Sequence, residues 1–493
     1  MKKNVPWQNR TATQAIFYWA QECPNAVAID DGEQQGSYFE LASVVANIVH
    51  RVRELGVSKG CIVGIRCDDR YLSLVLLLAM DALRATPAYL STADVMDQAW
   101  LDRCNVVLSK APLALGLSAR CFVVMTQDWL ISARPYNSPH ADLSVLDHPC
   151  DDTDIIFLGS TSSTTGEKKY FQDSRFAMQH QLGLLSDLYF PTETVNFICI
   201  YSVWLGAAYA ACFICLNKGA TVIFSPNLLR DMTRYPGSHS VLVLRDAVRL
   251  TANLREDVAL SKLSSLRVLG AHLPNIVRNL LETHLADQVM NSYSSNESGQ
   301  VGEVLRDGTA KIYSGVEVKI VDDERLPLAT GQIGYIAIKS PGMVQGYLWN
   351  EALTQKHFSN GWFYSSDLGY KTEIGHLVIE GRNDEMLNLG GVKISPTPYE
   401  QSIKAQLGIS ECVLLCDDNL FGARHLIVFI EKSGECDMEI KKLYDQLQYL
   451  PAGEFDNVTT LFLSTFPRTD TGKVKRQELK VIAKEMITCN PIS

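Results

Sequence analysis

Short apolar runs alternate with helix-length patterned stretches along the first three quarters of the chain. Cys61-Ile62-Val63-Gly64-Ile65, Asp154-Ile155-Ile156-Phe157-Leu158, Ala220-Thr221-Val222-Ile223-Phe224 and Ser240-Val241-Leu242-Val243-Leu244 read as strands, and the helical patterns between them predict parallel pairing with crossover helices. Between Ser174 and Phe190, Met178, Leu182, Leu185 and Leu188 recur at helical spacing, with Asp173 or Ser174 as N-cap. The longer apolar runs, Leu72 to Met80 and Val203 to Leu216, end at Asp81 and at Asn217-Lys218. Both fall short of the roughly 20 residues a spanning helix needs, so they predict buried core elements and no membrane span.

From about Gly315 the pattern changes to short strands with turn signals, Val316 to Val321 and Gly334 to Ile338 among them, which predicts an antiparallel, barrel-like subregion. After Arg382, the segments Glu411 to Cys416, His425 to Glu431, a helical Met438 to Leu450, and Val458 to Leu463 follow as strand, strand, helix and strand. They suffice for a compact α+β domain. The expected fold class is α/β: a large N-terminal body over 1–383 and a small α+β C-terminal domain over 384–493, divided at the polar stretch Gly381-Arg382-Asn383-Asp384.

Composition narrows the picture further. A chain of 493 residues with 46% hydrophobic content exceeds the usual single-domain size. Net charge is 45 minus 55, or −10, without a long block of one sign, which argues against nucleic acid or an anionic membrane as main partner. The N-terminus carries two lysines but no apolar core after them, so it does not read as a secretory signal, and a cytoplasmic protein is expected. Thirteen scattered cysteines lack the density of a disulfide scaffold. Cys212 and Cys215 have C-x-x-C spacing inside an apolar run without a second pair or a His partner, which reads as core packing.

The segment Ser160-Thr161-Ser162-Ser163-Thr164-Thr165-Gly166-Glu167-Lys168-Lys169 sets six hydroxyls, a glycine and two lysines between an apolar strand and a helical pattern. Such a loop suits polyphosphate oxygens and is expected to precede the helix. It is not the G-x-x-x-x-G-K-[ST] loop, because one glycine is present and no Ser or Thr follows the lysines. Four further segments come in order: Asn291-Ser292-Tyr293-Ser294-Ser295-Asn296-Glu297; Gly361-Trp362-Phe363-Tyr364-Ser365-Ser366-Asp367; Gly381-Arg382-Asn383-Asp384 running to Gly390-Gly391-Val392-Lys393-Ile394-Ser395-Pro396; and Pro467-Arg468-Thr469-Asp470-Thr471-Gly472-Lys473.

With this order and spacing the chain resembles the adenylate-forming superfamily of acyl- and aryl-CoA synthetases, peptide-synthetase adenylation domains and firefly luciferase. The resemblance implies ATP-dependent activation of a carboxylic acid. A carboxylate is a poor electrophile until AMP is attached to it, and because acid and ATP are both anionic, cations and donors are needed where charge accumulates. By the same resemblance, Thr161, Ser162, Ser163, Thr164, Thr165, Gly166 and Lys169 hold the β- and γ-phosphates. Glu297 binds Mg²⁺ with Thr165 as helper, Tyr293 stacks on adenine, Asp367 binds the ribose hydroxyls, and Arg382 binds ribose or α-phosphate. Lys473 is the expected catalytic cation. Asp384 is the hinge about which a mobile C-terminal domain turns, and Gly391 lines a tunnel for a pantetheine thiol.

Ile200 stands where amino-acid-activating members carry an Asp for the substrate ammonium, so a small non-amino carboxylic acid is expected. Tyr201, Trp204, Gly270 and Ala271 are expected as walls of its pocket, and Gly270 and Ala271 also as part of the ATP/AMP site. The chain departs from the family's usual pattern at Lys168, Tyr170, Ser294 and Ser366. The expected substrates and cofactors are ATP, Mg²⁺ and CoA or the phosphopantetheine of a separate carrier protein, since no carrier domain follows Lys473. Two alternatives stay open: a stand-alone amino-acid adenylation enzyme, and a catalytically silent nucleotide-binding module.

Overall fold

The computed structural model describes residues 11–489 except 91–100, 112–121, 127–128, 130–141, 163–167, 191–195, 253, 255–260, 390–391, 408, 410, 417–424, 432–446, 448–456 and 469–473. The chain is α/β, and two sheets dominate it. In the first, the strands run in the order Phe122–Val124, Val106–Ser109, Ile62–Arg66, Thr86–Tyr89, Ile155–Ser162 and Lys168–Ser174. All neighbours are parallel except the last pair.

The second sheet has a parallel half ordered Ala286–Ser295, Leu263–Leu269, His239–Val243, Phe197–Cys199, Val222–Phe224 and Val27–Asp30. Helices Gly206–Asn217, Leu228–Arg234, Leu244–Ala252 and Asn275–His284 connect its successive strands. Strand Ala286–Ser295 changes partner along its length. Through Asn291 it pairs in parallel with Leu263–Leu269, and from Ser292 it pairs antiparallel with Gly299–Val304. From there the sheet continues antiparallel through Ala310–Ile312, Leu377–Arg382, Trp362–Lys371 and Gly334–Lys339 to Glu317–Val321. The carboxyl ends of parallel strands at such a change of direction form the crevice where α/β proteins bind ligands.

Both long apolar runs became buried helices, Arg70–Leu83 and Gly206–Asn217. Every residue from Ala208 to Leu216 is buried, so this helix has no polar face and must be enclosed on all sides. Cys212 and Cys215 are fully buried in it.

The hydroxyl-rich segment precedes a helix, as expected, but a strand lies between them. Strand Ile155–Ser162 carries on through Ser160 and Thr161, and the chain returns as the antiparallel strand Lys168–Ser174, with Thr161 opposite Lys169 and Ser162 opposite Lys168. Helix Arg175–Tyr189 starts only after Ser174, whose hydroxyl caps it by accepting from Ala177 N. Hydroxyl residues satisfy a pleated ladder as well as a loop, so composition alone left the hairpin invisible.

Past Asp384, strands Glu411–Cys416, His425–Glu431 and Asn457–Leu463 form a separate three-stranded sheet. It is flanked by helices Thr397–Leu407 and Arg476–Cys489, which hydrophobic spacing had not signalled. The expected helix from Met438 lies almost wholly outside the described residues. Arg476 joins the two flanking helices through a 2.7 Å ion pair with Glu400. Among the described residues no helix is long and apolar enough to cross a membrane.

Candidate active site

The hydroxyl-rich segment starts on strand Ile155–Ser162 and ends on its antiparallel partner Lys168–Ser174. Gly159 sits where a Cβ would meet the Phe171 ring at 2.4 Å, so the two strands can approach at this point only because the residue lacks a side chain. Thr161 and Ser162 occupy the last rungs of the first strand. Ser163, Thr164, Thr165 and Gly166 lie outside the described residues. Lys169, opposite Thr161, sets its Nζ 5.3 Å from the centre of the Tyr347 ring. Burial lowers the pKa of this ammonium, and the charge of Glu297 opposes that shift. Arg382, Asp384 and Lys356 also act on it electrostatically.

Where strand Ala286–Ser295 changes partner, Asn291 pins the turn after the neighbouring parallel strand. Its Nδ2 donates to Val268 O and Ala271 O, each at 3.0 Å, and its Oδ1 accepts from Leu273 N at 3.1 Å. Gly270 takes φ +95° in this turn, a left-handed value that favours glycine. Gly270 and Ala271 are both exposed at the carboxyl end of their strand.

Two residues beyond Asn291, Tyr293 donates its hydroxyl to Asp367 Oδ2 at 2.5 Å. Burial, then the neighbouring Asp367 charge, pushes the phenol pKa well up, so it stays a donor. Asp367 is fixed in turn by Ser365, whose hydroxyl accepts from Asp367 N at 3.1 Å and donates to Ile336 O at 2.9 Å. Arg382 is paired directly across the ladder from Asp367. Burial disfavours its charge, but Asp384, Glu385 and Asp367 together leave its pKa raised. A half-buried aromatic ring, a fixed carboxylate and a guanidinium on adjoining strands can recognise a nucleoside monophosphate by stacking, ribose hydrogen bonds and charge.

Glu297, on the turn after this strand, accepts the Tyr347 hydroxyl on Oε1 at 2.9 Å. Among the described residues its Oε2 makes no hydrogen bond or ion pair. One carboxylate oxygen suits a hard cation, and no group of three or more His, Cys, Asp or Glu side chains gathers among the described residues. A single carboxylate fits an ion that takes its other ligands from phosphate and water, as Mg²⁺ does.

The expected acid-pocket residues divide. Ile200 and Tyr201 are half-buried at the carboxyl end of Phe197–Cys199. The Tyr201 hydroxyl donates to Asp246 Oδ2 at 2.7 Å and accepts from Val243 N at 2.9 Å, which ties it to the end of the next strand. Trp204 points into the core. It is 8% exposed, stacks on Tyr89 with centroids 5.0 Å apart, and donates to Ser73 Oγ at 3.3 Å.

Lys473 and Gly391 lie outside the described residues. The residues flanking Lys473 are joined: Arg468 and Val474 form an antiparallel bridge, Lys475 N donates to Pro467 O at 2.9 Å, and Arg468 pairs with Glu431 at 2.7 Å. Asp384 pairs with Arg382 and sits in the middle of a short turn, Asn383–Glu385. Two residues at the site escaped the sequence reading, Ser365 and Tyr347. Ser365 lies within a quoted motif, but nothing in its neighbours marks it as a support. Tyr347 follows Gly346 in a segment with no distinctive periodicity, and only the fold brings it to Glu297.

The profile of the family described as AMP-binding enzyme matches residues 16–348. Gramicidin S synthase 2 of Aneurinibacillus migulanus is 25% identical over 518 residues, covering 96% of this chain but 11% of that much longer protein. The fatty acid–[acyl-carrier-protein] ligase MmaC of Mycobacterium marinum is 25% identical over 530 residues, covering 97% of this chain and 98% of that one. Among solved structures, o-succinylbenzoate coenzyme A synthetase of Bacillus subtilis, in complex with ATP and a magnesium ion, superposes with a TM-score of 0.75 at 18% identity. That match covers 94% of this chain and 99% of the other, and it establishes a shared fold. With about two thirds of its length matched by one family profile, the chain belongs to the AMP-binding enzymes.

Proposed function

We propose that the protein is an ATP-dependent, AMP-forming acid–thiol ligase. A carboxylate oxygen attacks the α-phosphorus of ATP, the bond to the bridging oxygen breaks, and pyrophosphate leaves. The resulting acyl-adenylate is then attacked at its carbonyl carbon by a pantetheine thiol, giving a thioester, AMP and a proton. The observation that carries this reading is the convergence of Tyr293, Asp367 and Arg382 beside a second group made of Glu297, Lys169 and the hydroxyl-rich hairpin. The first group suits the nucleoside and α-phosphate, the second the departing pyrophosphate. Mg²⁺ held by Glu297 would neutralise phosphate charge, with Thr165 completing the hold.

In this reading Tyr293 stacks on adenine while its hydroxyl orients Asp367 for the ribose hydroxyls. Lys169 and the hydroxyls of Thr161 to Thr165, with the Gly166 backbone, bind the β- and γ-phosphates. Lys473 enters from the C-terminal segment to balance charge between carboxylate and α-phosphate. The unit 384–493 turns about Asp384 between the two half-reactions, withdrawing Lys473 and bringing Gly391 to the thiol path. The acceptor is CoA or a carrier protein, and a cytoplasmic setting supplies either one. The acid is small and without a free α-amino group, because Ile200 offers no counter-charge and Asp246 beside Tyr201 is already engaged by Tyr201 and by Arg245 at 3.3 Å.

The test is acid-dependent ATP–pyrophosphate exchange with pooled aryl, fatty, keto and amino acids. Exchange with a non-amino pool is expected. Exchange with amino acids alone would replace the substrate reading by amino-acid adenylation. ATP binding without exchange in any pool would replace the enzymatic reading by a binding module.

A further inference from the structure

Tyr347 belongs to no part of the roles described so far, yet it touches both sides of the phosphate-facing group. It lies in the segment that follows strand Gly334–Lys339, and this segment is tied at three points. Val344 N donates to Glu297 O at 3.0 Å, Leu348 N donates to Tyr170 O at 2.8 Å, and Tyr347 itself bridges to Phe171 of the hairpin's return strand. The Tyr347 side chain is 6% exposed and is fixed from behind. Its N–H donates to Thr354 Oγ1 at 2.9 Å, and its ring meets His357 and Phe358 edge-on at 5.9 and 5.5 Å. Gly346 lets the chain pass Thr354 where a Cβ would meet Cγ2 at 2.5 Å. From this seat the hydroxyl reaches Glu297 Oε1 at 2.9 Å, and the ring face lies 5.3 Å from Lys169 Nζ.

We infer that Tyr347 is a positioning residue for nucleotide and metal binding: its hydroxyl holds Glu297 in one orientation, leaving Oε2 for the cation, while its ring holds Lys169 beside the same phosphates. The inference rests on the proposed role of Glu297. Hydrogen bonds from outside a metal's ligands fix those ligands in advance, and their loss commonly weakens metal affinity on the order of tenfold or more. Here one side chain serves the carboxylate and the cation together, so the hairpin and the Glu297 turn reach the phosphates in fixed relation.

The test is ATP binding by titration calorimetry across a Mg²⁺ series and in EDTA, on wild type, Tyr347→Phe, Glu297→Gln and the double variant. Wild type is expected to bind ATP more tightly with Mg²⁺. Tyr347→Phe should raise the Mg²⁺ midpoint on the order of tenfold, leave binding in EDTA unchanged, and add nothing further in the Glu297→Gln background. An unchanged midpoint, equal weakening with and without Mg²⁺, or effects that simply add in the double variant would overturn the inference while leaving the ligase reading intact. A wild type whose ATP binding ignores Mg²⁺ would overturn the role of Glu297, and the inference with it. If Tyr347→Phe does not fold, the cycle is run with Lys169→Met, whose loss should weaken ATP binding in EDTA as well; an effect confined to Mg²⁺ would contradict the ring's proposed part.

Discussion

Asp367 and Arg382 stand directly opposite each other on antiparallel strands, yet the Arg382 guanidinium closes on Asp384, with donor distances of 2.9 and 3.2 Å to its two carboxylate oxygens. One arginine therefore connects the proposed ribose carboxylate to the first residue of the proposed hinge. Strand Leu377–Arg382 ends here, so the proposed hinge residue lies two positions past the arginine proposed for the nucleotide.

From this follows the effect of Asp384→Asn. The pair is partly exposed, so its loss should change unfolding free energy by less than about 1 kcal/mol. Release of Arg382 should instead alter the second half-reaction. Exchange rates are expected to stay within a few-fold of wild type while thioester formation in single turnover slows more. Equal slowing of both steps would argue that Asp384 only supports Arg382 and does not act as a hinge.

Tyr293→Phe keeps the aromatic face and removes the hydroxyl that Asp367 accepts. A carboxylate has room for several donors, so the tyrosine can orient Asp367 without occupying all of its acceptor sites. Loss of one such bond is worth about 1 kcal/mol, or roughly fivefold in affinity. AMP should bind about that much more weakly by calorimetry. Equal or tighter binding would mean that Tyr293 competes with the ribose for Asp367.

Much of the parallel scaffold was legible because its strands are continuous apolar runs. The run at Val203 to Leu216 proved to be a helix enclosed on all sides, as its length and uniform hydrophobicity required. The hairpin beyond Ser160 was not legible, since hydroxyl residues suit loop and ladder alike. Helix Thr397–Leu407 has a mostly polar sequence and takes its place from packing against strand Glu411–Cys416, which a one-dimensional pattern does not carry. At the site, Tyr293, Asp367 and Arg382 could be named from the family resemblance, and the fold brings them together. Tyr347 lies fifty residues from Glu297 in sequence and meets it only through tertiary structure.

Asp173 gives a pH dependence. It is 7% exposed on the hairpin's return strand, its Oδ1 has no hydrogen-bond partner among the described residues, and burial pushes its pKa up to about 7. The unfolded chain ionises this group near pH 4. Between those values the native state binds the extra proton, so the group's contribution to stability falls as pH rises from about 4 to about 7 and is flat above. Asp173→Asn should remove this decline, which urea midpoints at pH 5 and 7.5 would reveal. The same pH dependence in the variant and wild type would assign the effect to another group.

Lys473 lies in the sequence between Arg468 and Val474, which form an antiparallel bridge, and Arg468 also pairs with Glu431. Its proposed role is confined to the first half-reaction. Lys473→Ala should lower acid-dependent exchange on the order of a hundredfold or more. Thiolysis of a supplied acyl-adenylate should stay within a few-fold of wild type. Comparable loss in both assays would place the lysine outside the selective role proposed for it.

Acyl-adenylate formation makes one demand on atoms that no other use of ATP makes. With an acid from the active pool labelled with ¹⁸O in its carboxylate, turnover to the thioester should leave one ¹⁸O in AMP and none in pyrophosphate, read by mass spectrometry. Unlabelled AMP, or label in pyrophosphate or phosphate, would contradict attack of the carboxylate on the α-phosphorus and with it the reaction proposed for this site.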